Sequence, residues 1–129
     1  MRRARIILAE DNADLRELLV AALQADGHRV QQVARGDDLL HLLIVLRDRN
    51  RLPDVVISDL EMPGMLGIDA LELARIDGQS LGLMLMTGSE STKITSRAAR
   101  LSIRCVLRKP FEIDAFRGAV LALLGWQTS

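Results

Sequence analysis

Five short apolar runs, separated by longer stretches of helical spacing, constrain this chain more than any other feature. The runs occupy residues 6–9, 30–33, 55–57, 83–86 and 103–107. Their shortness and regular alternation with helical patterns predict repeated strand–helix units, and so a parallel sheet covered on both faces. The run at 30–33 is interrupted by Gln31 and Gln32, which places it at an edge, whereas the uniformly apolar runs at 6–9 and 55–57 belong deeper.

Between the first two runs, Leu15, Leu18, Leu19, Ala22 and Leu23 recur at three-and-four spacing, with Asn12 placed to cap the helix and Gly27 to end it. A second helix starts near Gly36, carries Asp37 and Asp38 in its first turn, and sets Leu39, Leu42, Leu43 and Leu46 on one face. Its far end, Arg47-Asp48-Arg49-Asn50-Arg51, reads as a solvated cap. Two weaker patterns predict helices over 68–76 and 91–101. A firm last helix is marked by Ile113, Phe116, Val120, Leu123 and Leu124, with Pro110 as its start signal.

The chain has 129 residues, 49% of them apolar, enough for one domain with its own core, read here as a single domain over 1–129. Seventeen basic side chains balance seventeen acidic ones, so no global field favours nucleic acid or anionic lipid. Neither direct DNA binding nor membrane association is expected. The strongly apolar stretch at 39–46 contains His41 and is far shorter than the roughly 20 residues of a membrane span. Met1-Arg2-Arg3 leads straight into the first strand with no signal core, and the single Cys105 permits no internal disulfide. A cytoplasmic location is the expectation.

In an open parallel sheet, ligands bind outside the carboxyl ends of the strands, where strand order reverses. Glu10 and Asp11 follow the first strand, Asp59 the third, Thr87 the fourth and Lys109 the fifth. Three carboxylates meeting at one sheet edge repel one another unless a hard cation with oxygen ligands neutralises them, and Mg²⁺ meets that requirement. A carboxylate beside such a cation can attack phosphorus while an ammonium and a hydroxyl contact the other phosphoryl oxygens. The set is that of a phosphoryl-transfer site. Each residue alone is more often a solvated loop side chain; their joint occurrence at four strand ends carries the inference.

Ile7-Leu8-Ala9-Glu10-Asp11-Asn12, the segment 53–64 ending Asp59-Leu60-Glu61-Met62-Pro63-Gly64, Met86-Thr87-Gly88 and Lys109-Pro110-Phe111 together resemble the response-regulator receiver family over essentially the whole chain. The resemblance implies a flavodoxin-like α/β fold with strand order 2-1-3-4-5. It implies that Asp59 accepts phosphate from a sensor histidine kinase or histidine phosphotransfer protein. Mg²⁺ would be held by Asp11, Asp59 and the backbone carbonyl of Glu61, with Glu10 acting through water. Thr87 and Lys109 would hold the phosphoryl oxygens, and a switch of Thr87 would remodel the fourth helix and fifth strand for a downstream protein. The domain is thus expected to be a signalling phosphoacceptor rather than an enzyme, with no output domain.

Several positions depart from the family pattern. Val106 stands where an aromatic ring is usual, three residues before the site lysine, so an aromatic rotamer switch is impossible there. Ser102-Ile103 replaces the favoured Gly-Ala, and the stretch from Gly36 to Asp59 is several residues longer than usual. Gly88 is expected to leave the site open, and Glu61 to alter phosphoryl lifetime. His28, His41 and Cys105 are read as structural. Three functions compete: a receiver, stand-alone or part of a longer protein; a pseudo-receiver that binds partners without phosphorylation; and a nucleotide-binding flavodoxin-like protein. The last is opposed by acidic residues, instead of glycines, in the first strand–helix turn.

Overall fold

The structure, a computed structural model, describes residues 3–79, 81–88 and 92–128, and the side chains of 126–128 lie outside that description. Strands β1 (Arg5–Ala9), β2 (Arg29–Val33), β3 (Val55–Asp59), β4 (Gly82–Thr87) and β5 (Cys105–Arg108) alternate with five helices. These are α1 (Ala13–Ala25), α2 (Gly36–Asp48), α3 (Gly67–Leu73), α4 (Thr92–Arg100) and α5 (Ile113–Thr128). All four strand pairings are parallel, in the order β2-β1-β3-β4-β5. The expected fold and edge strand are both present.

The alternation of side chains along each strand separates two cores. Ile6, Leu8, Val55, Ile57, Met84 and Met86 pack with Leu19 and Leu23 of α1 and Phe116 and Val120 of α5. Ile7, Ala9, Val56, Leu83 and Leu85 pack on the opposite face, with Leu39 and Leu43 of α2, Ile68 and Leu71 of α3 and Ala98 of α4. Burial of β3 and β4 is complete, while Gln31 and Gln32 of β2 are exposed at the edge.

Helix ends follow one device. The Asn12 side chain caps α1 through a 2.9 Å bond from the Leu15 N–H. Helices α1, α2, α3 and α4 all stop in a reversed turn in which the residue after the C-cap takes positive φ. These residues are Gly27, Asn50, Arg75 and Ser102. In each, the next N–H reaches back to the carbonyl five residues earlier: His28 to Leu23, Arg51 to Leu46, Ile76 to Leu71 and Ile103 to Ala98.

This device corrects two boundaries. Helix α3 ends at Leu73, short of the expected 76, and β5 begins at Cys105 instead of 103. Ile76 and Ile103 are the apolar residues that close the reversed turns, buried against Leu71 and Ala98, so their hydrophobicity extends the apparent pattern of helix and strand. Expected start Ser91 of the fourth helix lies outside the described residues; the helix begins at Thr92. Helix α5 runs through Thr128.

The arginine-rich end of α2 is used internally. Arg47 donates to the Ala74 carbonyl at the end of α3, and Arg5 donates to the carbonyls of Arg51 and Leu52. His28 is buried, and its Nδ1 accepts the Ala4 N–H at 3.1 Å, a structural role; His41 is exposed on α2. Cys105 is half buried, and burial pushes its thiol pKa up, away from the reactive thiolate. No described helix is long and apolar enough to cross a membrane.

Candidate functional site

The carboxyl ends of β1, β3, β4 and β5 bring Glu10, Asp11, Asp59, Thr87 and Lys109 to one edge, as strand order at the β1/β3 boundary requires. Carboxylate oxygens of Glu10, Asp11 and Asp59 lie within 4.8 Å of one another. Asp11 is exposed, Asp59 is 5% exposed and Glu10 is fully buried. Such a set of clustered hard oxygen donors, with one member open to solvent, fits a small divalent cation.

Glu10 is held at every polar atom. Its N–H donates to the Val33 carbonyl, Oε2 accepts the Asn12 N–H at 3.1 Å, and Oε1 accepts from Lys109 Nζ at 2.7 Å. Its carbonyl accepts from the Arg16 guanidinium at 2.8 Å, and Arg16 is itself anchored on the Gln32 side chain. Reading the sequence did not single out Arg16; its position on the inner face of α1, one turn past the Asn12 cap, was the available signal.

Lys109 Nζ also donates to Asp59 Oδ2 at 3.1 Å, so one ammonium bridges two carboxylates. Its backbone N–H donates to the Thr87 carbonyl at 2.8 Å, tying the end of β5 to the end of β4. Thr87 is buried at 4% exposure. A Cβ added to Gly88 would meet open space, consistent with the expected access.

Burial pushes the Asp59 carboxyl up to about 6; the Lys109 hydrogen bond pulls it down and the Glu10 charge pushes it up again. The carboxylate form, the nucleophilic one, therefore predominates at neutral pH. For Lys109, burial lowers the ammonium pKa, but hydrogen bonds to Glu10 and Asp59 outweigh it and the group stays charged.

Glu61 is exposed in the loop joining β3 to α3. That loop is pinned at several points: Leu60 N–H to Met86, Gly67 N–H back to Leu60, and Gly36 N–H of α2 to Pro63. Gly64 takes φ +90° beneath the Asp37 carboxylate. A Cβ on Gly67 would overlap the Asp59 carbonyl and the Ser58 hydroxyl, so glycine permits α3 to start directly against the site. Gly64 closes the Met-Pro-Gly motif already read from the sequence, whereas Gly67 was not singled out, because the contacts that demand it come from the end of β3.

Beside the site, Leu15, Lys109, Pro110 and Phe111 line a cavity of about 420 Å³, with the Phe111 ring stacked on buried Phe116 at 5.8 Å. Val106 is 46% exposed on β5.

Comparison with known proteins places this arrangement. The family model for the response regulator receiver domain matches residues 6–121. The chain belongs to that family. This receiver domain is 30% identical over 120 residues to sporulation initiation phosphotransferase F of Bacillus subtilis, covering 93% of each chain. It is 31% identical over 120 residues to the transcriptional regulatory protein TctD of Salmonella typhimurium, but spans only 51% of that protein. Among solved structures, a response regulator receiver domain protein of Methanospirillum hungatei superposes with a TM-score of 0.84 over 98% of each chain, at 18% identity. The receiver domain is thus part of two-component signalling, and its five-stranded flavodoxin-like fold is shared with its structural neighbours.

Proposed function

We propose that Asp59 is the phosphoacceptor of this receiver domain, loaded in a Mg²⁺-dependent reaction from a sensor histidine kinase or a histidine phosphotransfer protein. The observation that carries this reading is the bridging of buried Asp59 and Glu10 by Lys109, beside exposed Asp11.

Asp11 and Asp59, with the Glu61 carbonyl, would hold the cation, and Glu10 would orient a water bound to it. When bound, the cation would offset the charge that builds up as a phosphoryl group meets a carboxylate. An Asp59 carboxylate oxygen attacks phosphorus as the phosphorus–nitrogen bond of the donor phosphohistidine breaks and the imidazole departs. Lys109 and Thr87 then contact the phosphoryl oxygens. The chemistry is self-assisted phosphorylation and dephosphorylation of a signalling domain, not turnover of a separate substrate. Residues 1–129 act as one receiver unit, signalling through a protein surface to a downstream target, with cytoplasmic placement and no direct DNA contact.

A pseudo-receiver is disfavoured because Asp59, Asp11, Thr87 and Lys109 are all present and converge. Amide NMR during titration with Mg²⁺ and beryllofluoride, a phosphoryl mimic, tests the choice. Saturable shifts around the site in the wild type, absent in Asp59→Asn, are expected. A silent wild type would make the pseudo-receiver the better account.

A further inference from the structure

Asp11 is the exposed member of the carboxylate cluster, and among the described residues its side chain makes no hydrogen bond or ion pair. Its aim therefore depends on its backbone. Both flanking peptide groups are held. The Glu10 carbonyl, in the peptide that precedes Asp11, accepts from Arg16 Nη1 at 2.8 Å, and the Asn12 N–H, in the peptide that follows, donates to Glu10 Oε2 at 3.1 Å.

Arg16 reaches that carbonyl from α1 with its direction fixed at a second point. Its Nε donates to the Gln32 side chain at 3.1 Å, so one half-buried guanidinium joins α1, the β1–α1 turn and the edge strand β2. Gln32 is one of the two polar residues that interrupt the apolar run of β2, and it is exposed there. The helix itself gains nothing from this cation. Arg16 lies near the start of α1, close to the positive end of the helix dipole, where the acidic Asp14 is favoured and a positive charge is not. Its two acceptors lie outside the helix.

We infer that Arg16 is a positioning residue for the cation site: it holds the Glu10–Asp11 peptide so that the Asp11 carboxylate stays with those of Glu10 and Asp59, and Gln32 braces the guanidinium. This role rests on the Mg²⁺ reading given above and deepens it. Metal ligands are commonly oriented by such outer hydrogen bonds, whose loss costs roughly 10–100-fold in affinity. Arginine suits the task because its planar fork reaches two acceptors in fixed directions, whereas a lysine ammonium is a point charge on a flexible stem. Charge alone predicts the opposite sign. Deleting a cation bonded to this acidic turn strengthens Mg²⁺ binding electrostatically, whereas deleting a positioning contact weakens it.

Amide NMR titration of the full chain with Mg²⁺, with no phosphoryl donor or mimic present, provides the test. Arg16→Ala is expected to weaken Mg²⁺ binding about tenfold, and to shift the amides of Glu10, Asp11 and Asn12 before any cation is added. Arg16→Lys should recover part of the affinity. Gln32→Ala, a change at an exposed side chain, should weaken binding less than Arg16→Ala does. Arg117→Ala is the control for general loosening: it removes the 2.6 and 2.9 Å bonds to Asp26 that tie the other end of α1 to α5, and should leave Mg²⁺ affinity unchanged. Unchanged or tighter binding in Arg16→Ala, or equal weakening in Arg117→Ala, would overturn the positioning role alone. A wild type silent to millimolar Mg²⁺ would overturn the metal reading and this role with it.

Discussion

Lys109 Nζ stands 2.7 Å from Glu10 Oε1 and makes its shorter ion pair there, with the deeper of its two carboxylate partners. Glu10 is fully buried, and a buried carboxylate is tolerable only when a charge partner and hydrogen bonds replace its lost water. Lys109 therefore holds the carboxylate cluster together.

Removing that ammonium leaves two clustered carboxylates uncompensated. Lys109→Gln is expected to lower stability by about 2–4 kcal/mol at pH 8, less at pH 5 where Asp59 takes up a proton. Millimolar Mg²⁺ should restore part of the loss. Urea unfolding at both pH values, with and without the cation, measures each effect; an unchanged midpoint would contradict the structural role.

Asp59 illustrates the opposite sign. Its folded-state pKa of about 6 exceeds the ordinary 3.8, so the fold favours the protonated form. Ionised Asp59 thus costs stability fully above pH 6, and the cost fades as pH falls through 6 toward 4. Asp59→Asn should stabilise the metal-free protein by roughly 1–2 kcal/mol at pH 8 and by little at pH 4. A gain independent of pH would show that packing, not charge, is responsible.

Ser102 sits at φ 56° in the turn that ends α4, a conformation that glycine adopts without the penalty of a side chain. Ser102→Gly should raise stability by about 0.5–1 kcal/mol and the melting temperature with it. Calorimetry decides the point, and Ser102→Val should move the other way.

Gly67 links the start of α3 directly to the end of β3. In Gly67→Ala the new methyl meets the Asp59 carbonyl and the Ser58 hydroxyl, so the β3–α3 loop must shift. A loss of about 1–3 kcal/mol is expected, with weaker Mg²⁺ binding by NMR titration. Wild-type affinity and stability in this variant would mean that the backbone relaxes freely there.

The sequence by itself determined the alternation of strands and helices, the edge position of β2, the Asn12 cap and the residues at the strand ends, because each is written in local periodicity or in a residue adjoining a strand. Only the tertiary structure decided that Ile76 and Ile103 close reversed turns, that Arg97 reaches Asp69, that Arg16 holds the Glu10 carbonyl, and that Gly67 must lack a side chain. Those facts depend on contacts between segments distant along the chain. Periodicity reports which face of an element is buried, but not which backbone atom lies opposite once the faces have met.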